Sequence, residues 1–369
     1  MSSEDHQQLE VIGRQFEIEG TLVEAHRVKI GHINETFAVK YQKDGKDCRY
    51  VHQTLNTSVF KQPVPLMENV VKVTEHLRSR LASEGVEDLD RRSLRVIRAR
   101  DGKPFHIDAE GRFWRTFLFI ENVRTYEAVE TPAQAFQAAI AFGHFQSMLS
   151  DLSSRDLAVT IPDFHHTRKR FERLQKAIES DVCNRASLAA KDIAFALQQE
   201  GMVDTLLRAH AEGAIPERVT HNDTKFNNVM LDLDTGESMC VVDLDTVMPG
   251  LALYDFGDMV RTTTSRTAED ETYLDRVELE MPLFEPLVRG YVEATRSFLT
   301  PKERSYLVFS GALITFTIGI RFLADYLEGD HYFRVHRQDH NLDRCRKQFK
   351  LVQSIQEKSD EMQRLVETL

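Results

Sequence analysis

Two carboxylates and an amide in the middle of the chain have the types and spacing that phosphoryl transfer requires. Asp223 lies in the polar string 221–228, Asn228 follows it by five positions, and Asp243 comes after a short intervening segment. Transfer from ATP needs a carboxylate that orients the attacking hydroxyl and accepts its proton, and oxygen ligands that hold magnesium against the phosphates. The spacing therefore predicts Asp223 as the catalytic base, with Asn228 and Asp243 as ligands of Mg²⁺.

The segment between Asn228 and Asp243 predicts a hairpin. Residues 229–231 and 239–242 are strand-like, and a turn sequence containing Gly separates them. Two strands joined so closely would return Asp243 to the loop that contains the catalytic base. Asp245 would then lie nearby as a candidate ligand of a second metal ion. The alternative is a polar loop before a surface hairpin, which would require no fixed spacing between the Asp and the Asn.

Several strings resemble known kinases. The string 221–228, His-Asn-Asp-Thr-Lys-Phe-Asn-Asn, and the later Val-Asp-Leu-Asp resemble the aminoglycoside phosphotransferase-like kinases, a small-molecule branch of the protein-kinase fold. More narrowly, the strings at 31–34, 220–225, 243–250 and 321–330 resemble bacterial N-acetylhexosamine 1-kinases. They extend from the first strands to the last third of the chain, and the string at 321–330 is the most specific of them.

This resemblance implies a fold and a reaction. The fold would be α+β and bilobal, like a protein kinase, with an antiparallel-sheet nucleotide lobe over 1–120, a mainly helical catalytic and substrate lobe over 121–369, and ATP in the cleft. The reaction would move the γ-phosphate of ATP, held with Mg²⁺, to the anomeric hydroxyl of N-acetylglucosamine or N-acetylgalactosamine. Within the second lobe, the resemblance gives Asp255 a bracing role beside the catalytic loop.

A loop between the first two strand-like segments is the candidate phosphate-binding loop. Its sequence is Gly31, His32, Ile33 and Asn34. Glycine permits close approach of the backbone to an anion, so Gly31 and Ile33 are predicted to bind the phosphates through their amides. The resemblance suggests instead that His32 and Asn34 reach the acceptor sugar. A turn histidine exposed to solvent is the alternative for His32.

The third strand-like segment lacks the lysine that protein kinases use to bind phosphate. Residues 49–55 offer Gln53, or its neighbour His52, in that place. Neutralisation of the phosphates would then depend on Mg²⁺ and backbone amides. The missing lysine also leaves open a nucleotide-binding protein without catalytic activity. Adenine is expected to bind the backbone of Phe119, Ile120 and Glu121, where the chain passes from strands to helices.

Two charged residues in an apolar helical segment are candidates for binding the acceptor. Arg321 and Asp325 are four positions apart, so they share one face of a helix. Planar charged groups bind pairs of sugar hydroxyls, each of which both donates and accepts a hydrogen bond. Tyr326 is placed behind them. A surface ion pair is the alternative, and the same fold would also suit an aminoglycoside, choline or homoserine as acceptor.

Composition limits the remaining possibilities. The 369 residues exceed a usual single core, and the formal charge of −11 argues against a nucleic-acid partner. The apolar stretch 308–324 contains Ser, Thr and Arg and predicts a buried helix, so no membrane partner is expected. Four scattered cysteines and a hydrophilic start favour the cytoplasm. His336 and His340 lack a third ligand at a known zinc spacing.

Hydrophobic periodicity changes from two to 3.6 residues near residue 121. Strands are predicted over 25–30, 35–41, 49–55, 94–99 and 113–120, and helices over 7–19, 66–81, 132–149, 165–180, 187–211, 282–298, 301–328 and 341–365.

Overall fold

The computed structural model of the protein describes residues 3–28 and 34–369. The chain divides into two compact units that interleave along the sequence. The first unit contains the residues up to Arg124 together with Arg155–Ile161 and Met230–Met248. The second contains Thr125–Ser154, Pro162–Val229 and Pro249–Leu369. The division after residue 120 that the sequence suggested stays a prediction.

The helices and strands follow one another in an order that changes from sheet to helix. They are α1 (Ser3–Gly13), β1 (Thr21–Val28), β2 (Glu35–Lys43), β3 (Lys46–Leu55), α2 (Pro63–Ser83), α3 (Leu89–Arg92), β4 (Val96–Ile97), β5 (His106–Ile107), β6 (Phe113–Leu118), β7 (Val123–Arg124), α4 (Pro132–Met148), α5 (Thr167–Ser180), α6 (Ala190–Gln198), α7 (Thr205–Ala211), β8 (Arg218–Thr220), β9 (Val229–Asp232), β10 (Ser238–Val241), β11 (Met248–Gly250), α8 (Ala252–Thr263), α9 (Met281–Thr295), α10 (Pro301–Ser305), α11 (Leu307–Glu328), α12 (His340–Glu357) and α13 (Ser359–Thr368). The predicted α+β architecture, an antiparallel sheet followed by a larger helical part, is confirmed.

An antiparallel sheet organises the first unit. Its strand order is β1-β2-β3-β6-β4, and β5 pairs with the other part of β6. A tight turn joins β2 to β3 through Asp44 and Gly45, whose φ angles of 52° and 75° suit Asp and Gly. One face of the sheet packs with α1 into an apolar cluster of Leu9, Ile12, Phe16, Ile18, Phe37, Val39, Tyr41, Ile97, Ala99 and Trp114. This rigid sheet fixes the register of the polar residues discussed below.

A histidine lies inside this apolar cluster. His52 of β3 is completely buried, and its register partners are Phe37 on β2 and Thr116 on β6. Its Nδ1 lies 2.8 Å from Thr116 Oγ1 and its Nε2 lies 3.1 Å from Tyr41 Oη. Burial lowers the pKa of His52 to about 3, so the ring is neutral at pH 7. His52 therefore belongs to the core of the sheet.

The longest helix forms the core of the second unit. Nearly every residue of α11 is buried, and it packs against α5, α8 and α12. Its most apolar window is 94% buried within the protein, which confirms the predicted buried helix. The crossing with α8 is close, because a Cβ at Gly257 would lie 2.4 Å from the carbonyl oxygen of Ser310. Glycine is required at that crossing.

Three long helices predicted from periodicity are interrupted. The segment 187–211 forms α6 and α7, separated by a 3₁₀ turn that includes Gly201, a residue that weakens helices. The segment 301–328 forms α10 and α11, because the chain tightens at Tyr306, whose amide bonds to Glu303 and Arg304. The C-terminal segment likewise forms α12 and α13, which meet at Lys358. Periodicity identified the apolar faces but not these short breaks.

We expect His52 to make the folded state less stable in acid. Between its folded pKa of about 3 and its unfolded value of about 6.5, the unfolded chain binds a proton that the folded chain does not. Lowering the pH through this window should therefore reduce the free energy of unfolding by up to about 1.4 kcal/mol per pH unit from this group. Urea unfolding from pH 7 to pH 4.5 would measure the slope.

The variant for this measurement is His52→Gln, which should make the slope smaller because it removes the buried imidazole. Equal slopes in wild type and His52→Gln would contradict the assignment of a neutral buried histidine.

Candidate active site

The loop 221–228 is held in an unusual backbone conformation. It follows β8 directly, and Asn222 has a φ of 66°, in the left-handed region that Asn tolerates better than most residues. A 3₁₀ turn, Phe226–Asn228, then leads into β9. The loop therefore needs tertiary contacts to keep this shape, and α8 supplies them.

Asp255 of α8 braces the loop from below. Its carboxylate is completely buried and accepts hydrogen bonds from the backbone amides of His221 at 2.9 Å and Asn222 at 2.7 Å. Gln146 Nε2 donates a third hydrogen bond at 2.7 Å, and Tyr291 Oη donates to Gln146 Oε1 at 2.6 Å. Burial raises the pKa of Asp255, while these donors oppose the shift. A single carboxylate thus fixes two consecutive peptide groups just before Asp223.

A second contact with α8 fixes the loop beyond Asp223. The hydroxyl of Thr224 donates to the carbonyl of Asp255 at 2.7 Å, and its amide donates to Asp258 Oδ2 at 3.1 Å. Arg261 Nε donates to Asp258 Oδ1 at 2.7 Å, and both of these side chains are buried. Contacts with α8 therefore fix the backbone on both sides of Asp223.

Asp223 itself carries the features of a positioned carboxylate. Its side chain is partly exposed and forms an ion pair with Lys225 at 2.8 Å. Burial acts to raise the pKa of Asp223, but the charge and hydrogen bond of Lys225 outweigh it, and the pKa lies below its usual value. The carboxylate is therefore ionised at neutral pH and can accept a hydrogen bond from a hydroxyl.

Asn228 is oriented by the same residue. Its Nδ2 donates to the carbonyl oxygen of Asp223 at 2.8 Å and approaches Asp223 Oδ2 at 3.3 Å. With its nitrogen directed to Asp223, the amide presents its oxygen, which is the atom that Mg²⁺ would take as a ligand. The side chains predicted as metal ligands, Asn228 and Asp243, each carry the hard oxygens that Mg²⁺ prefers, and their binding of one ion stays a prediction. Asp243 lies one residue beyond β10 with a left-handed φ of 59°.

Other metal chemistry finds no support in the described residues. Over 3–28 and 34–369, no three His, Cys, Asp or Glu side chains are grouped to hold an ion. His340 bonds instead to Asp270 at 3.1 Å through Nε2, and its Nδ1 accepts from the amide of His336. The four cysteines are all free.

In the first unit, Asp245 is paired with an arginine that the sequence did not single out. Arg115 of β6 donates to both carboxylate oxygens of Asp245, and the two side chains are 3% and 2% exposed. Asn34 Nδ2 donates to Asp245 Oδ2 at 2.7 Å. Gln53 Oε1 accepts from Arg115 Nε and Nη2 at 2.8 and 2.6 Å. Asp245 and Gln53, predicted for metal and nucleotide, thus bind one guanidinium, and Asn34, predicted for the sugar, bonds to Asp245.

The structure describes only some of the other residues that were predicted to bind the nucleotide. Gly31, Ile33 and also His32 lie outside the described residues. In the segment Phe119, Ile120 and Glu121, the amide of Phe119 donates to Arg49 at 3.1 Å and the carbonyl of Glu121 accepts from Arg91 at 3.0 Å. These two backbone groups are therefore engaged within the protein, and adenine binding by this segment stays a prediction.

Arg321 is buried among aromatic rings. Its guanidinium carbon lies 5.3 Å from the ring centre of Phe164, 5.7 Å from Tyr332 and 5.5 Å from Phe333. It is 7% exposed, and Tyr332 Oη lies 3.4 Å from its Nη2. Burial lowers the pKa of Arg321 below its ordinary value. No carboxylate in the described part of the chain forms an ion pair with it, which excludes the alternative of a surface pair with Asp325.

Asp325 anchors the loop that carries two of those rings. Its buried carboxylate accepts from the amides of His331, Tyr332 and Phe333 at 3.1, 2.8 and 2.9 Å, and from Asn341 Nδ2 at 2.9 Å. These four donors fix the loop that follows α11, and contact of Asp325 with a sugar stays a prediction. Tyr326 donates to Asp339 at 3.0 Å and is likewise buried.

Comparison with known proteins gives a consistent result. The sequence matches the model of the phosphotransferase enzyme family over residues 24–287, well over half of the chain. Among solved structures, the aminoglycoside phosphotransferase of Alicyclobacillus acidocaldarius aligns with a TM-score of 0.61 at 11% identity, covering 98% of this chain and 96% of that one. At this identity the likeness shows a shared fold.

Two further structures align over nearly their whole lengths. A spectinomycin phosphotransferase, solved with ADP and spectinomycin, has a TM-score of 0.58 at 12% identity, with 98% of both chains covered. The choline kinase of Cryptosporidium parvum has a TM-score of 0.54 at 14% identity, with 96% of both chains covered. The predicted aminoglycoside phosphotransferase-like fold is thereby confirmed.

Replacing Asp255 with Asn should loosen the loop 221–228. Asn offers one acceptor oxygen where the carboxylate offers two, so at least one of three buried donors loses its partner. A hydrogen bond to a charged group contributes roughly 1.5–3 kcal/mol, which corresponds to amide exchange about tenfold to a hundredfold faster at His221 and Asn222. Hydrogen exchange of the folded protein would measure this.

Tyr291→Phe is the matched control, since it removes only the hydroxyl that donates to Gln146 and leaves the carboxylate intact. Its loop amides should remain protected. Unchanged protection in Asp255→Asn would show that the carboxylate does not hold the loop.

Proposed function

The chain belongs to the phosphotransferase enzyme family, and we propose that it transfers the γ-phosphate of ATP to the anomeric hydroxyl of a hexose, N-acetylglucosamine or N-acetylgalactosamine. Family membership itself establishes a kinase that acts on a hydroxyl of a small molecule, with ATP and Mg²⁺ as the consistent co-substrate and ion. The sugar and the anomeric position are the proposed part. We also propose a cytoplasmic location, which suits four free thiols.

The setting of Arg321 is the observation that carries the choice of acceptor. A guanidinium without a carboxylate partner, surrounded by aromatic rings, presents donors to hydroxyl and carbonyl oxygens of a ligand. Aromatic faces also pack well against the apolar faces of sugar rings. An N-acetylhexosamine offers hydroxyls, an acetamido carbonyl and such a face, so it matches this environment.

Arg321 lies in the same electrostatic environment as the catalytic loop. His165 donates from Nε2 to the carbonyl of Asn222 at 2.9 Å, and its neighbour Phe164 contacts Arg321. The charges of both Arg321 and Asp223 act on His165. These contacts support the proposal that a ligand held by Arg321 is presented to Asp223.

The same environment disfavours a cationic acceptor. The charges of Arg261 and Arg173 act to lower the pKa of Arg321, and the carboxylate of Asp325 accepts hydrogen bonds from the backbone amides of its loop. An ammonium group placed here would meet like charges, which costs binding energy in a poorly solvated site. Choline and aminoglycosides are therefore less suited to this pocket than a neutral sugar.

Each residue has a role in the proposed reaction, and the contacts of loop 221–228 support these roles. Asp223 orients the anomeric hydroxyl and accepts its proton, which is easier than for an ordinary alcohol because an anomeric hydroxyl is more acidic. Asn228 and Asp243 would hold Mg²⁺, which supplies charge neutralisation at the phosphates. Lys225, paired with Asp223, keeps that carboxylate ionised. No strong base is needed, so positioning accounts for most of the catalysis.

Release of ADP across a panel of acceptors tests this function. We expect turnover with N-acetylglucosamine or N-acetylgalactosamine, and none with the same sugars methylated at the anomeric oxygen. Choline, homoserine and kanamycin complete the panel. Asp223→Asn should reduce kcat by about a hundredfold or more while ATP affinity stays within about twofold, because the base is lost and the nucleotide contacts remain.

Turnover only with an amine-bearing acceptor would contradict the sugar assignment and leave the phosphotransferase assignment intact. ATP binding without ADP release for every acceptor would instead support a nucleotide-binding protein without catalysis. An active Asp223→Asn variant would remove the role of that residue as base.

Arg321→Ala should weaken use of the acceptor and spare ATP. Loss of hydrogen bonds from a charged donor corresponds to roughly 1.5–3 kcal/mol, or a fall of about tenfold to a hundredfold in kcat/KM for the sugar. Steady-state kinetics with each substrate varied would separate the two effects. Arg289→Ala is the control, since that arginine is exposed on α9 and pairs only with Glu285 among the described residues. Equal sugar kinetics in wild type and Arg321→Ala would contradict the proposed contact.

A further inference from the structure

We propose that Arg115, bound to Asp245, replaces the strand lysine of kinases as a positioning residue that fixes the segment bearing Asp243 for binding of Mg²⁺. This inference rests on the phosphotransferase function proposed above. Position 53 on β3, which the sequence offered in place of the lysine, is Gln, and its register partner on β6 is Arg115. The positive charge has therefore moved to the adjacent strand of the same sheet.

The guanidinium of Arg115 is fully engaged. Nε and Nη2 donate to Gln53 Oε1, Nη2 also donates to Asp245 Oδ2 at 2.9 Å, and Nη1 donates to Asp245 Oδ1. Nη1 further lies 3.7 Å from Met67 Sδ on α2. Because all three nitrogens have partners and the side chain is almost entirely buried, Arg115 does not act by binding a phosphate directly. It acts through Asp245.

Asp245 lies in the 3₁₀ turn Leu244–Thr246, directly after Asp243. Asp243 has a left-handed φ of 59°, which Asp tolerates better than most residues, and the turn that follows it helps to determine where its side chain lies. Arg115 holds one side of the Asp245 carboxylate, and Asn34 holds Oδ2 at 2.7 Å. Two elements of the sheet region thus fix the turn that immediately follows the metal-ligand candidate.

The helix that follows β3 does not supply the acidic partner. On α2, Glu68 is exposed and Glu75 pairs with Arg98 at 2.8 Å on the surface. Asp245 is the acidic partner instead, and its charge neutralises that of Arg115 within the protein. The pair adds no net charge toward the nucleotide, so the ion must contribute most of the positive charge at the phosphates. Nucleotide affinity should therefore depend strongly on Mg²⁺.

Titration calorimetry with a non-hydrolysable ATP analogue, with and without Mg²⁺, tests this inference. The measured quantity is the gain in affinity that Mg²⁺ produces. In the wild type this gain should be large. Arg115→Gln and Asp245→Asn should each reduce it by about tenfold or more, the size of effect seen when partners of metal ligands are removed, with the metal-free affinity nearly unchanged. Arg115→Lys should restore part of the gain.

Two further variants separate positioning from general damage. Arg112→Met removes an ion pair with Asp108 in the turn between β5 and β6 and should leave the Mg²⁺ gain at the wild-type value. Arg115→Met combined with Asp245→Leu removes both charges and leaves no unpaired buried ion, so it should fold, and it too should lose the gain. Thermal melting of each variant would verify that it is folded.

An undiminished Mg²⁺ gain in folded Arg115→Gln, or in the double variant, would overturn the inference. An equal loss of metal-free affinity would overturn it as well, because it would mean that Arg115 binds phosphate itself. The readout requires no acceptor. A wild type that phosphorylates no sugar would contradict the proposed function and leave this experiment decisive for Arg115.

Discussion

The loop 221–228 depends on hydrogen bonds to the buried carboxylate of Asp255. This carboxylate accepts hydrogen bonds from two consecutive backbone amides, those of His221 and Asn222, and Asn222 has a left-handed backbone conformation. Without such an acceptor these peptide groups would be buried and unpaired, which is costly. The location of Asp223 follows from this contact, because the residue comes next in the chain. Asn228 is then oriented by Asp223 in turn.

Two other aspartates fix irregular backbone in a similar way. Asp325 accepts hydrogen bonds from three consecutive backbone amides and so fixes the loop that carries Tyr332 and Phe333, two of the rings around Arg321. Asp245 is held by Arg115 and Asn34 and so fixes the turn after Asp243. In each case a short acidic side chain, buried and fully hydrogen-bonded, determines the shape of irregular backbone near a functional residue. Rigid positioning of this kind suits phosphoryl transfer, in which orientation and electrostatics supply most of the rate.

Much of the fold could be predicted from the sequence because it depends on local patterns. The strand alternation, helix α2 and the hairpin between Asn228 and Asp243 all appear in the periodicity and turn residues, and the observed elements β9 and β10 agree with the predicted strands. The helix breaks at Gly201 and Tyr306 could not be predicted in this way, since a single irregular turn scarcely changes the hydrophobic pattern.

The candidate site was less predictable, for a physical reason. Asp223, Asn228 and Asp243 are recognisable by spacing. The partners of Asp245 and Asp325 are not, because one is an arginine 130 residues away and the others are backbone amides, which have no sequence signature. The amino-acid sequence alone does not distinguish an aspartate that anchors a loop from one that binds a ligand. Arg115 carried one available signal, a lone charge between Trp114 and Phe117 in an apolar strand.

The most direct test of this account is the position of the phosphate in the product. Wild-type enzyme would be incubated with Mg²⁺, ATP and N-acetylglucosamine, and the product examined by phosphorus–proton correlation NMR. The account predicts a phosphorus nucleus coupled to the anomeric proton, and no such signal with the Asp223→Asn variant. A phosphate coupled to the protons of another carbon, or release of inorganic phosphate alone, would contradict it.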